Sequence, residues 1–466
     1  MSLATDYLPV VRLRPVAPRL SAAVEELLGV EVGVRVRAWD GSEAGPDPTS
    51  PAAAAGTVVF RSPRALRRIA WAPNELGLVR AFVSGDLDIE GSIVDVLDRP
   101  EVIDRFGHHQ LAHVPPGAVA RAAATVLLEG GLGRPLPPPS TEIPTRRLRL
   151  GVHGERLHLH GREQPQLHSR ERDAQAISHH YDVGNDFYRL VLGPSMVYSC
   201  GYWPSGPDGD LDAAQRGKLD LICRKLGLRP GMRMLDVGCG WGSLAIHAAR
   251  EYGVEVVGVT LSREQRDLAV ERVRREVPGR VEIRLQDYRD VTDGPFDAIA
   301  SVGMSEHVGR AELAGYADHL ADLLVPSGRL LNHAIAAVRP LQPRKRSAPS
   351  FIERYIFPDG EILPLSDTVT ALQGAGLEVR DDESLREHYG LTLRAWVDNL
   401  QAGWDEAVAL VGVERARTWL LYLATCALAF ERGKVTIHQV LAVKQGPGGR
   451  ARMGWNRRAW TDSIGD

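Results

Sequence analysis

The stretch Leu235-Asp-Val-Gly-Cys-Gly-Trp-Gly242 joins an apolar run to a carboxylate and to three glycines spaced two apart. An apolar segment, Met232 to Leu235, feeds Asp236, and helix-forming sequence resumes at Ser243. Strand, tight turn and helix start, in that order, mark the place where a doubly wound sheet receives a nucleotide-like ligand. Glycines there let the backbone approach the ligand and take up positive φ. Gly238, Gly240 and Gly242 lack the spacing of a pyrophosphate loop, and Asp236 stands where its charge would repel phosphate. The ligand that suits them has a cationic centre, an amino-acid moiety and an adenosine: S-adenosylmethionine. A glycine turn that merely joins strand to helix is the plainer alternative.

Ligands of open parallel sheets lie outside the carboxyl ends of the strands, so each predicted strand end is a candidate contact. Strands are predicted at Arg233–Asp236, Glu255–Val259, Val281–Leu285, Ala298–Val302 and Arg329–His333, with helices between them. That alternation gives a mostly parallel sheet buried on both faces. The first strand supplies Asp236 and Gly238. The second ends in Gly258-Val-Thr-Leu-Ser262, with Thr260 where many nucleotide folds place a ribose-binding carboxylate; Gln265, one turn into the next helix, can reach instead. The third offers Gln286, Asp287 and Tyr288 to an adenine edge and face, although Asp287 alone reads equally well as a helix cap. The fourth runs from Ser301 past Glu306 and His307 to Gly309, close to where the reactive methyl would sit.

At 466 residues the chain exceeds one ordinary core, and two or more domains are expected. Its 44% hydrophobic and 25% charged residues are those of a globular protein. A net charge of −3 provides no global basic field, so no nucleic-acid partner is expected. No apolar run is long enough to cross a bilayer and no signal peptide is read at the start, so membrane contact is expected to be peripheral. Cys200, Cys223, Cys239 and Cys426 are widely scattered, which fits a reducing cytoplasm, and no metal site is expected from them.

An N-terminal segment stands apart. Ser21 is expected to cap a helix through Leu28; Val32, Val34 and Val36 alternate with Arg35 and Arg37 as a half-exposed strand. After a Gly/Pro/Ala loop, a strand is expected over Thr57 to Phe60. Ser62-Pro63 opens a helix with proline in its first position, and Phe82 to Gly91 reads as strand or turn. EF-hand spacing fails in that acidic stretch. Arg134 to Pro144 is a stiff, proline-rich linker. The histidines His153, His158, His160 and His168 fit no compact ligand set. Further on, Ala336 to Leu363 forms a long insertion, basic at Arg344-Lys-Arg346 and then aromatic, of the length usual for lids and binding loops. Ala407 to Arg432 reads as one or two helices, and the tail after Gly446 as frayed.

From Ile177 to Gln445 the chain resembles the cyclopropane-fatty-acid synthases, including the mycolic acid cyclopropane synthases. The resemblance rests on His180-Tyr-Asp-Val-Gly-Asn-Asp186, Tyr198-Ser-Cys-Gly-Tyr-Trp203, Leu235 to Gly242, Gly258 to Ser262, Gln286-Asp-Tyr-Arg-Asp290 and Glu306-His-Val-Gly309. Leu330-Leu-Asn-His-Ala-Ile335, Tyr355-Ile-Phe-Pro-Asp-Gly360 and His388-Tyr-x-x-Thr-Leu-x-x-Trp396 follow in the same order. It implies an α/β fold: a doubly wound, Rossmann-like class I methyltransferase domain over 176–446. A smaller N-terminal α+β domain for lipid or membrane docking is expected over 1–133, with a linker at 134–175 and a tail at 447–466.

The activity implied is methyl transfer from S-adenosylmethionine to a cis double bond in a phospholipid acyl chain. The cofactor is placed at Tyr198, Ser199, Gly238, Thr260, Gln265 and Tyr288, beside the Asp236, Gly240, Gln286 and Asp287 read from the strand ends. A bound bicarbonate is implied as general base, held by residues matching Cys200, Glu306, His333, the backbone of Ile335, and Tyr389. Carbocation chemistry needs aromatic faces, and Tyr202, Trp203, Phe351, Tyr355 and Phe357 are the candidates. The product is either a cyclopropane or, after a hydride shift, a methylene-branched chain. Expected partners are unsaturated phospholipid acyl chains, the inner face of the membrane approached peripherally from the cytoplasm, and a second copy in a homodimer. A small-molecule methyltransferase of the same fold and a non-catalytic lipid-binding protein are the competing readings.

Overall fold

The computed structural model describes residues 14–28, 33–47, 49, 56–99, 116–143, 183–339, 350–357 and 360–461. The chain forms two compact units, Met1–Ser140 and Thr141–Asp466. The four linker histidines, His180 to Asp182 and the basic Arg344 to Arg346 lie outside the described residues.

In the first unit a helix spans Val16–Leu28 and starts well before Ser21, the expected cap. Its first N–H groups are satisfied from across the following loop: Asp40 Oδ2 accepts from Val16 at 3.0 Å and Ser42 Oγ from Ala17 at 2.8 Å. Four short strands, β1 (Arg35–Arg37), β2 (Glu43–Ala44), β3 (Gly56–Phe60) and β4 (Leu87–Gly91), pair in the order β2-β1-β3-β4. Pro63 sits one position before the helix Arg64–Trp71 rather than in its first turn. Phe82 and Val83 end the helix Glu75–Val83, so only Leu87–Gly91 of the expected strand is extended. The alternating acids there answer arginines: Asp86 to buried Arg68 at 2.8 Å, Asp88 to Arg61 at 2.6 Å, and Glu90 to Arg37.

The second unit is built on a seven-stranded sheet. Its strands are β5 (Arg233–Val237), β6 (Glu255–Thr260), β7 (Val281–Leu285), β8 (Phe296–Val302), β9 (Leu324–Ala337), β10 (Leu377–Ser384) and β11 (Val435–Lys444). The order is β10-β11-β9-β8-β5-β6-β7, with β11 antiparallel to both neighbours and β5 to β9 parallel. All five predicted strands are present. β9 outruns the predicted His333 because β11 pairs with it from Arg329 to Ala337. Along β5, Met234 enters the apolar cluster on one face and Leu235 and Val237 the cluster on the other, the alternation a doubly covered strand requires. The order reverses between β5 and β8, so the ends of these two strands flank the crevice.

Helices Trp404–Val411 and Val413–Glu431 divide the expected 407–432 segment at Gly412, whose φ is +79°. Among the described residues no helix is long and apolar enough to cross a membrane, and the four cysteines are free. Residues 141–143, placed by composition in the linker, pack within this unit. Glu142 accepts from the Tyr355 hydroxyl at 2.9 Å and lies 3.1 Å from Arg354.

The described part of the tail, to Thr461, is held in place. Trp460 is 8% exposed within the cluster of Leu226 and Met234, and Arg457 reaches Asp381 and Glu383 at 3.3 and 2.9 Å. Burying an indole outweighs the freedom of a short chain end. Trp460→Ala should therefore lower unfolding stability by about 3 kcal/mol in urea titrations followed by circular dichroism. Trp455→Ala, at a fully exposed position, should stay within about 0.5 kcal/mol of the parent.

Candidate active site

A cleft opens at the carboxyl ends of β5, β6, β7 and β8, with about 1200 Å³ of space, its open mouth included. Tyr198, Ser199, Asp236, Gly238, Gly240, Thr260, Gln265, Gln286, Asp287 and Tyr288 all line it. Local geometry explains how. Gly238 and Cys239 donate to the Val259 carbonyl, both at 3.0 Å, which pins the glycine turn to the end of β6. Gly238, Gly240 and Gly242 have φ of +78°, +54° and +79°. Ser262 caps the helix Arg263–Glu276 through the Gln265 N–H, and the Thr260 hydroxyl donates to Gln265 Oε1 at 2.8 Å. Trp241 donates from its indole to Asn185 at 2.8 Å, tying the turn to the helix Asn185–Leu192.

Asp287 is less open than the strand-end reading supposed. Both its oxygens bind Arg289, and Oδ1 also caps the turn Tyr288–Asp290 through the Arg289 N–H. The capping alternative thus describes much of its role. Gln286 donates to the Asp290 carbonyl at 2.8 Å.

Asp236 is 2% exposed, and its Oδ2 has no hydrogen-bond partner. Burial raises it to about 7, against the pull of Lys218. Lys218 also lines the cleft; burial draws it down to about 8, offset by Cys200 and Asp236. Its ammonium donates to Ser199 Oγ at 2.8 Å.

Beyond the cleft the five expected anion-holding residues are not equally open. Glu306 lies on the turn Ser305–His307 between the cleft-lining Met304 and His307. Its Oε1 accepts from the Ile335 N–H at 2.9 Å while Oε2 is sealed without a partner, and burial raises the carboxyl to about 7. The Ile335 backbone donor, expected to face an anion, is thereby held by Glu306. Both ring nitrogens of His333 are sealed without partners, and its carbonyl accepts from the cleft-lining Gly303 at 2.8 Å. Burial, then Lys218, Lys225 and His438, push His333 well below its ordinary range, so the ring is neutral. Cys200 is fully buried and donates to the Gly201 and Leu385 carbonyls at 3.1 and 3.6 Å. Burial raises that thiol, so a thiolate nucleophile has no support. Burial likewise lifts Tyr389, with Tyr198, Cys200, Cys426 and Glu306 as its charged or polar neighbours. Segments far apart in the chain meet around this phenol.

The aromatic wall differs from the one expected. Tyr202 stacks on His388, Trp203 donates to Thr392, and Phe351 packs on Tyr355, which is bound to Glu142. Of the five candidates Phe357 joins the rings near the cleft, 6.1 Å from Tyr422 and 5.8 Å from His307. Tyr198 is the centre of that set, with Tyr188, Trp396 and Trp419 at 5.7, 5.4 and 6.0 Å and its hydroxyl 3.2 Å from that of Tyr422. Trp419, Tyr422 and Cys426 recur at intervals of three and four on one helix, a spacing that signalled a shared face.

A family profile described as mycolic acid cyclopropane synthetase matches residues 168–440. This chain belongs to that family. It is an enzyme, an S-adenosylmethionine-dependent methyltransferase. A probable fatty acid methyltransferase of Mycobacterium tuberculosis is 42% identical over 421 residues, 89% of this chain and 92% of its own. The cyclopropane-fatty-acyl-phospholipid synthase of Escherichia coli K12 is 39% identical over 275 residues, 59% of this chain and 69% of its own. The mycolic acid cyclopropane synthase CmaA1, solved with SAH and CTAB, covers 58% of this chain and 98% of its own. It is 34% identical, with a TM-score of 0.55. The second unit therefore has the Rossmann-like class I methyltransferase fold.

In this methyltransferase Gly238 tolerates little added bulk. A Cβ on Gly238 would lie 3.0 Å from two side-chain atoms of Met304, in a backbone conformation that L residues rarely adopt. Gly231 has a similar φ, +84°, with nothing near. Gly238→Ala should weaken S-adenosylmethionine binding about tenfold or more by calorimetry, whereas Gly231→Ala should cost only about 1 kcal/mol of stability.

Proposed function

We propose that this enzyme transfers a methyl group from S-adenosylmethionine to the cis double bond of an unsaturated phospholipid acyl chain. The observation that carries this reading is the pairing of partner-free, sealed polar atoms, Glu306 Oε2 and the His333 ring, with an aromatic wall around Tyr198 beside the cleft. Small-molecule transfer needs no such enclosure.

The donor set fits the cofactor. Asp236 offers a free carboxylate oxygen to a cationic ligand, the turn at Gly238 and Gly240 leaves its backbone open, and Thr260 with Gln265 stands at the ribose position. S-adenosylmethionine supplies an electrophilic methyl when bound. The protein's task is to hold a weakly nucleophilic alkene against it and exclude water. Positive charge left on the neighbouring carbon faces the rings of Tyr198, Trp396, Trp419 and Tyr422, which stabilise a cation without capturing it.

A proton must then leave the chain. Bicarbonate supplies a mild base when bound, and the groups that would hold it are the buried, partner-free Glu306 Oε2 and His333 ring with the Tyr389 hydroxyl. Cys200 neighbours the Tyr389 phenol. An ionised Glu306 accepts a proton and orients its neighbour. Loss of a proton from the transferred methyl with ring closure gives a cyclopropane; the same loss after a hydride shift gives a methylene-branched product.

The reading extends to a cytoplasmic homodimer that meets the inner face of the membrane peripherally through the first unit. In that unit Trp71, Leu128 and Leu132 are 58%, 78% and 64% exposed, and the Trp71 indole donates to the Gly133 carbonyl. An aromatic ring beside exposed leucines suits a lipid interface.

Methyl-labelled cofactor incubated with cis-unsaturated phospholipid vesicles should yield acyl chains heavier by one CH₂, with NMR separating ring from methylene. Unchanged chains would refute the proposal. Glu306→Gln should lower turnover by about a hundredfold or more, with cofactor affinity nearly unaltered. Because the ionised form is the active one and the carboxyl sits at about 7, turnover should fall as pH drops through that value. The glutamine variant should lack the inflection.

A further inference from the structure

Two lysines on the helix Leu211–Leu226 are buried, and the protein answers them differently. Lys225, fully enclosed, has Glu383 at 2.6 Å, Asp381 at 3.7 Å and the Gln439 side-chain oxygen at 2.9 Å. Lys218, 1% exposed, has the neutral Ser199 hydroxyl and, among the described residues, no carboxylate within ion-pair distance, Asp236 acting on it from farther off. An enclosed ammonium with no carboxylate in contact is costly unless something else closes on it. Lys218 lines the cofactor cleft, which is where a counter-ion can arrive. Arg289, the other cation on the cleft wall among the described residues, is already held by both oxygens of Asp287.

The opposite charge lines the same cleft. Asp236 carries a sealed oxygen without a partner, and it is an electrostatic neighbour of Lys218. An ammonium and a carboxylate on one wall complement a zwitterion, and the amino-acid end of S-adenosylmethionine is one. We propose that Lys218, steadied by the Ser199 hydroxyl, anchors the carboxylate of the cofactor's amino-acid end. Its role is that of a positioning and specificity residue, and it rests on the cleft being the cofactor site.

Calorimetry on the full chain with S-adenosylmethionine and with its decarboxylated analogue tests this. Wild-type protein should bind the intact cofactor roughly ten- to a hundredfold more tightly than the analogue, the range of a charge-assisted hydrogen bond. Lys218→Met should lose that preference: affinity for the intact cofactor falls to near that of the analogue, whose own affinity barely moves. Equal losses for both ligands, or none for either, would overturn the assignment. Should Lys218→Met fail to fold, the wild-type comparison still decides, since equal binding of the two ligands refutes a carboxylate anchor. Wild-type protein that binds neither would refute the cleft reading itself, a failure separable from that of Lys218.

Discussion

Polar groups sealed from water without enough partners are what the catalytic unit is organised around. Asp236 Oδ2, Glu306 Oε2 and the two nitrogens of His333 each lack the hydrogen bond that burial ordinarily demands. Leaving such a group unsatisfied costs about 1–3 kcal/mol, so the surrounding structure must hold each one in place. That structure is rigid. His333 lies on a strand paired on both sides, and Glu306 is fastened through its other oxygen to the Ile335 backbone.

Charge is distributed to the same end. The neutral His333 ring and the high carboxyls of Asp236 and Glu306 share a cause, burial, and Lys218 of the helix Leu211–Leu226 acts on both His333 and Asp236 as a nearby positive charge. Lys225 of the same helix is locked into a network that runs through Glu383 to Arg457 on the C-terminal segment. Its register matters: Gln439, which Lys225 holds, is paired with His333 across β11 and β9. The tail that closes over the sheet thus belongs to the support of a residue far away in sequence.

Much of the catalytic unit was legible in advance because its signals are local. Five strands were readable from apolar runs bounded by turn residues, and the glycine turn from its spacing. Most of the cleft residues were readable because a parallel sheet presents its strand ends together, whereas Tyr198 and Ser199 came only from the family resemblance. Misplaced features had non-local causes. The first helix begins at Val16 since Asp40 and Ser42 cap it from a distant loop. Pairing with β11 lengthens β9, and the packing of a single indole orders the tail.

By itself the sequence determined the doubly wound alternation, the turn that admits the cofactor and the identity of most groups around it, because periodicity and glycine placement are properties of neighbouring residues. Tertiary structure alone decided which aromatic rings gather around the cleft-lining Tyr198: Tyr188, Trp396, Trp419 and Tyr422 rather than Tyr202, Trp203, Phe351 and Tyr355. It also decided that Glu306 occupies the Ile335 donor and that Lys218, among the described residues, contacts a hydroxyl rather than a carboxylate. An aromatic ring or a charge looks the same in sequence whether it faces a cavity or a core. Only the packing of helices that are remote along the chain sets the direction.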